Sequence, residues 1–86
     1  MTTAQLKTAL ILAIRSHADN DWDEPQDIGG GVVAVYMTDG ALGVHAEANP
    51  GGGADFEIVH ASDGYPLGPS TSFPTAAAAI QVADSM

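Results

Sequence analysis

The sequence predicts an α+β fold: a two-layer sandwich in which a three-stranded antiparallel meander carries an N-terminal and a C-terminal helix on one face, in the order αβββα. Three observations carry that reading. Residues 3–18 repeat apolar side chains at helical spacing, residues 32–61 hold three β-rich runs separated by turn residues, and residues 74–84 form an alanine-rich stretch.

The first helix has a start signal and a face. Thr2-Thr3-Ala4-Gln5 fits a capping box, in which the Thr2 hydroxyl takes an orphan amide and Gln5 reaches back to the cap. Leu6, Ala9, Leu10, Ala13, Ile14 and His17 then form one stripe, broadened by Ile11 and Leu12. The helix should end near Ala18, because Asp19-Asn20-Asp21 would meet the negative end of its dipole. Residues 19–27 hold five acids around Trp22 and Pro25, then run into Gly29-Gly30-Gly31, and read as a loop.

Strands are expected over 32–38, 41–48 and 54–61. Thr38-Asp39-Gly40-Ala41 suits a type I′ hairpin, whose two-residue turn sets Val33 opposite Ala46, Val35 opposite Val44 and Met37 opposite Leu42. Asn49-Pro50-Gly51-Gly52-Gly53 supplies the next turn, after which Phe56 meets Ala46 and Ile58 meets Val44. That face is apolar and becomes the core, together with Leu6, Leu10, Ile14 and Ile80. The other face gathers Tyr36, His45, Glu47, Asp55 and Glu57 and is expected to lie open. Residues 64–69 are too rich in proline for a central strand, and Ser72 is placed as the cap of the last helix with Pro74 in its first turn.

Composition narrows function before any motif does. Eighty-six residues suffice for a single domain, 1–86, with a modest core, and no cysteine is present to staple it. Eleven acids face two bases, Lys7 and Arg15, and no fixed positive charge follows Arg15. Binding of phosphates requires lysine or arginine along the contact, so direct binding of nucleic acid or of an anionic membrane is excluded. Charged residues make up 15 % of the chain, below the roughly 25 % usual for soluble domains, so the acidity comes from missing bases. The apolar run from Ala9 to Ile14 is too short for a membrane span, and the chain reads as cytoplasmic.

Chemical motifs are sparse. Asp19-Asn20-Asp21-Trp22-Asp23 opens like an EF-hand loop, yet Glu24 stands where the hinge glycine belongs and Gly30 where the bidentate glutamate belongs. The segment therefore reads as a solvated acidic loop, a weak divalent-cation site, or an acidic contact loop anchored by Trp22. His45 and Glu57 are expected cross-strand neighbours, either as an exposed ion pair or as a base with its orienting carboxylate. The glycine triplets lack the remaining residues of a phosphate-binding loop. No metal, no cofactor and no catalytic residue is assigned, and the chain reads as a binding protein rather than an enzyme.

The pattern of negative charge remains. Glu47 beside Asp55 places like charges opposite each other, which costs stability unless something uses them. Candidate partner-binding residues are Asp19, Asp21, Trp22, Asp23, Glu24 and Asp27 in the loop, and Tyr36, Glu47, Asp55 and Glu57 on the outer sheet face. Length, absence of cysteine, acidity and compact layout resemble the small phage-encoded anti-CRISPR inhibitors, several of which mimic DNA. That resemblance implies a partner with a basic, nucleic-acid-binding surface. A meander followed by Ser72-Phe73-Pro74-Thr75-Ala76 is also similar to the DNA-binding domains at the front of phage integrases, although here the corresponding sheet face is acidic. The expected function is thus a small acidic inhibitor that blocks a basic surface. The alternatives are a general interaction or homodimerisation domain and a weak divalent-metal binder.

Overall fold

The computed structural model describes residues 1–68 and 72–86. The chain is α+β, with two helices, α1 (Thr3–His17) and α2 (Ala76–Ser85), and five strands, β1 (Gln26–Asp27), β2 (Val32–Tyr36), β3 (Leu42–Ala48), β4 (Ala54–His60) and β5 (Ser72–Phe73). The sheet runs β1-β2-β3-β4-β5 and is antiparallel throughout. The expected meander forms its three central strands, and a two-residue strand is added at each edge.

Helix α1 begins as its sequence dictates. The Thr2 hydroxyl accepts from the Gln5 amide at 3.2 Å, and Gln5 Oε1 accepts from the Thr2 amide at 2.8 Å, closing the capping box. Helix α2 starts later than expected. Thr75 is its cap, accepting from the Ala78 amide at 3.2 Å. Ser72 is not a cap, because it pairs with Glu57, and Phe73 pairs with Phe56, so both are committed to the sheet. Pro69, the end of the connection read as irregular, lies outside the described residues.

The register matches the sequence pattern at every central position: Val33 faces Ala46, Val35 faces Val44, Ala46 faces Phe56 and Val44 faces Ile58. The turn that joins β2 to β3 differs from expectation. No residue at 38–41 has positive φ, so a type I′ turn is ruled out, and the Gly40 amide instead donates to the Met37 carbonyl at 3.4 Å. Met37 donates to Leu42 at 3.1 Å and closes a four-residue loop. Such a loop preserves the parity of a two-residue turn, which is why the register survives the change of turn type.

Alternation places one face of this sheet against both helices. Leu6, Leu10, Val33, Val35, Val44, Ala46, Ile58, Ala79, Ile80 and Ala83 have no accessible surface, and Phe56 closes the layer. Each fully buried leucine or isoleucine contributes about 2 kcal/mol. Ile14 and Leu42, expected in the core, are only partly buried and pack on its margin, while Met37 is half-exposed at the end of the sheet.

The acidic segment read as a loop touches the β2 edge at two places, an isolated bridge at Trp22 and the two-residue strand β1. Trp22 bridges Met37, the Asp23 amide donates to Tyr36 at 2.8 Å and the Thr38 amide donates to Asp21 at 3.0 Å, while further on Gln26 pairs with Ala34 and Asp27 with Val33. Between the Trp22 and Gln26 pairings this segment carries one residue more than β2. The extra residue falls at Glu24 and Pro25 as a bulge, where proline has no amide to lose. Gly29, Gly30 and Gly31 then turn the chain into β2 with φ of 91°, 64° and 77°, a run of left-handed backbone that favours glycine at each step.

The outer sheet face is not the open plane the sequence suggests. Ala34 and Val59 are fully buried on it, and Gly43 is buried between the positions of Tyr36 and Val59. The Tyr36 ring lies across Gly43, so a Cβ at Gly43 would overlap Tyr36 Cδ1 and stand 2.7 Å from the Val35 carbonyl oxygen. Side-chain coverage of this kind has no signature in a two-residue alternation.

Candidate functional site

The expected binding residues divide among three places. Asp19 and Asp21 line a concavity of about 540 Å³ at the end of the sheet, with Asn20, Met37, Asp39, Leu42 and Met86 among its other walls. Glu47, Asp55 and Glu57 line a smaller depression of about 230 Å³ on the outer face, with Val32, His45 and Ser72. Asp23, Glu24 and Asp27 are exposed along the edge segment between them in sequence.

What positions the first concavity is a buried carboxylate that the sequence reading passed over. Asp84, near the end of α2, is 8 % exposed. It accepts from the Asp19 amide at 2.7 Å, the Asn20 amide at 3.1 Å, Asn20 Nδ2 at 3.2 Å and Trp22 Nε1 at 3.1 Å, while Asn20 Nδ2 also donates to the Asp84 carbonyl at 2.9 Å. Burial pushes this carboxyl up, but the hydrogen bonds from Asp19, Trp22 and Asn20 outweigh burial and hold its pKa below the usual carboxylate value. One sequence signal was present: an acid in the last turn of a helix opposes the dipole and needs donors from elsewhere.

Trp22 is consequently a tethered side chain. It is half-buried against the core, with its indole nitrogen committed to Asp84 of α2. Asp23 accepts from the Thr38 hydroxyl at 2.9 Å, and Asp27 accepts from the Gly29 amide at 3.0 Å and so stabilises its own turn. Asp39, Met37, Leu42 and Met86 join the concavity only because the β2–β3 hairpin and the end of the chain come together there.

On the outer face, Tyr36 Oη and His45 Nε2 are 2.9 Å apart, with the rings edge to face at 6.0 Å and 74°. Burial lowers the His45 pKa, and the facing Glu57 carboxylate opposes that shift without cancelling it. The ring is therefore neutral at neutral pH; in the Nδ1-protonated tautomer the Tyr36 hydroxyl donates to Nε2, and in the Nε2-protonated tautomer the ring donates to Tyr36 Oη. Glu47 and Asp55 are directly paired across β3 and β4 and both exposed.

Chemically the arrangement offers acceptors and little else. Among the described residues no group of three or more His, Cys, Asp or Glu side chains stands as a metal cage, and no helix is long and apolar enough to cross a membrane. Every buried side-chain nitrogen or oxygen among them has a hydrogen-bond partner. Comparison with family models, with curated proteins and with solved structures finds no match.

Proposed function

We propose that this chain is a small acidic inhibitor that binds a basic protein surface, of the kind that otherwise holds nucleic acid, and blocks it. One observation carries the reading: the chain holds eleven acids and two bases, and among the described residues no carboxylate is neutralised by an ion pair. The acids lie beyond α1, whereas Lys7 and Arg15 lie on it. Self-repulsion of this kind opposes folding, and a cationic partner relieves it while the field of the acids steers that partner to the surface. An anti-CRISPR-like DNA mimic is the specific form of this function.

The alternative of a dimer formed along a strand edge has less in its favour. Both edges are two-residue strands, and the β1 side adds acids, a bulge and Pro25, features that block edge-to-edge pairing. The outer sheet face stays available to either reading.

The test is displacement. Labelled duplex DNA is bound to a panel of basic nucleic-acid-binding proteins, including CRISPR effector complexes, and this protein is titrated in while anisotropy is read. Displacement from at least one member, weakening as salt shortens the screening length to about 8 Å at physiological ionic strength, is expected. Retention of the duplex by every member at low salt would refute the reading.

A further inference from the structure

The geometry points to the concavity between residues 19–21 and the β2–β3 hairpin as the seat of an arginine side chain from a protein partner. This rests on the reading of the chain as a binder of basic protein surfaces, and names the place and chemistry of the contact. At about 540 Å³ the concavity lies within the range of roughly 300–1,000 Å³ typical of ligand sites, with room for a long side chain and the backbone that carries it.

Its walls combine two chemistries. Asp19, Asp21 and Asp39 supply carboxylates, and Met37, Leu42 and Met86 supply apolar surface. Among the described residues those three carboxylates accept no hydrogen bond and meet no cation. An arginine stem lies along apolar surface while its planar guanidinium meets more than one carboxylate at once. Methionine adapts to the shape of such a guest. A hydrated divalent ion would gain nothing from the thioether walls, and a phosphate would be repelled. Lysine, a point charge, fits the spread of carboxylates less well.

Acids on a free loop would splay apart and stay hydrated. Here the backbone that carries them is pinned from two sides. The Asp19 and Asn20 amides and the Asn20 side chain are held by buried Asp84, and the Asp21 carbonyl accepts from the Thr38 amide at 3.0 Å. Asn20, which also lines the concavity, commits its amide nitrogen to Asp84, and the Asp19 and Asp21 carboxylates stand free beside it. Ordering cost is thus met before the partner arrives.

The test is an amide NMR titration at low salt with a capped pentapeptide bearing one central arginine, beside its lysine and citrulline counterparts, and with nona-arginine. Shifts centred on residues 19–21 and 39–42 are expected, with arginine bound at least about threefold more tightly than lysine, and citrulline not bound. Asp19→Asn with Asp21→Asn should weaken binding about tenfold, and Met86→Ser about threefold without a change of charge. Shifts centred on residues 45–57, or indifference to both the lysine exchange and Met86→Ser, would overturn the assignment of the concavity and leave the wider acidic-surface reading standing. Failure of nona-arginine to bind anywhere would overturn both.

Discussion

The Trp22 indole donates to the Asp84 carboxylate at 3.1 Å, joining residues 62 apart in the chain and tying the acidic segment to the last turn of α2. The same carboxylate receives the Asp19 and Asn20 amides, so one buried acid organises the backbone on which the exposed acids stand. Asp84→Asn should therefore do more than remove a charge. An amide presents hydrogens to a ring of hydrogens, and the stranded donors cost about 2–4 kcal/mol. Urea unfolding should register that loss, and Trp22 fluorescence should move to the red in the folded variant. Unchanged stability and emission would mean the tether is not a stabilising element.

Acid should weaken the fold in two stages. The His45 pKa is lowered below its ordinary value of 6.5, chiefly by burial. Between the folded and unfolded values the unfolded chain binds a proton that the folded chain does not, so stability falls as pH drops below about 6.5. The Asp84 pKa is likewise lowered below 3.8, so its contribution is full above that value and is lost as pH falls through the folded one. Denaturation midpoints measured from pH 8 to pH 2 should show both stages. His45→Gln should remove the first and Asp84→Asn the second.

Gly43 has no room for a side chain. Gly43→Ala places a methyl against Tyr36 and 2.7 Å from the Val35 carbonyl oxygen, and overpacking of this kind costs about 1–3 kcal/mol. Adding Tyr36→Ala should recover part of that loss, since the carbonyl contact persists after the ring is gone. Full recovery, or no loss in the single variant, would contradict the packing described for the outer face.

The sequence made the centre of this fold legible because the central strands are read by parity. In β3 and β4 the polar residues His45, Glu47, Asp55 and Glu57 alternate with Val44, Ala46, Phe56 and Ile58, so one register sets those four in the core beside Val33 and Val35, and the change of turn type at Thr38 to Ala41 leaves it intact. The edges were illegible for the opposite reason. Residues 21–28 carry four acids and a proline, none favoured in strands, and they pair at Trp22, Gln26 and Asp27 because β2 offers them a template. Among the candidate site residues, the spacing of Glu47, Asp55 and Glu57 across β3 and β4 followed from the register. The concavity did not, because Asp39, Met37 and Met86 meet Asp19 and Asp21 only through the tertiary hold of Asp84.

Charge reversal on two separate surfaces tests most directly whether the unpaired acids bind a basic partner. Asp19→Lys with Asp21→Lys alters the concavity, and Glu47→Lys with Asp55→Lys alters the outer sheet face, all at exposed positions away from the core. Displacement of duplex DNA from a basic partner is measured for the parent and both variants, with folding checked by circular dichroism. The concavity variant should lose displacement by about tenfold or more while remaining folded, and the sheet-face variant should lose less. Displacement by both folded variants at the parent's level would contradict binding through these acids.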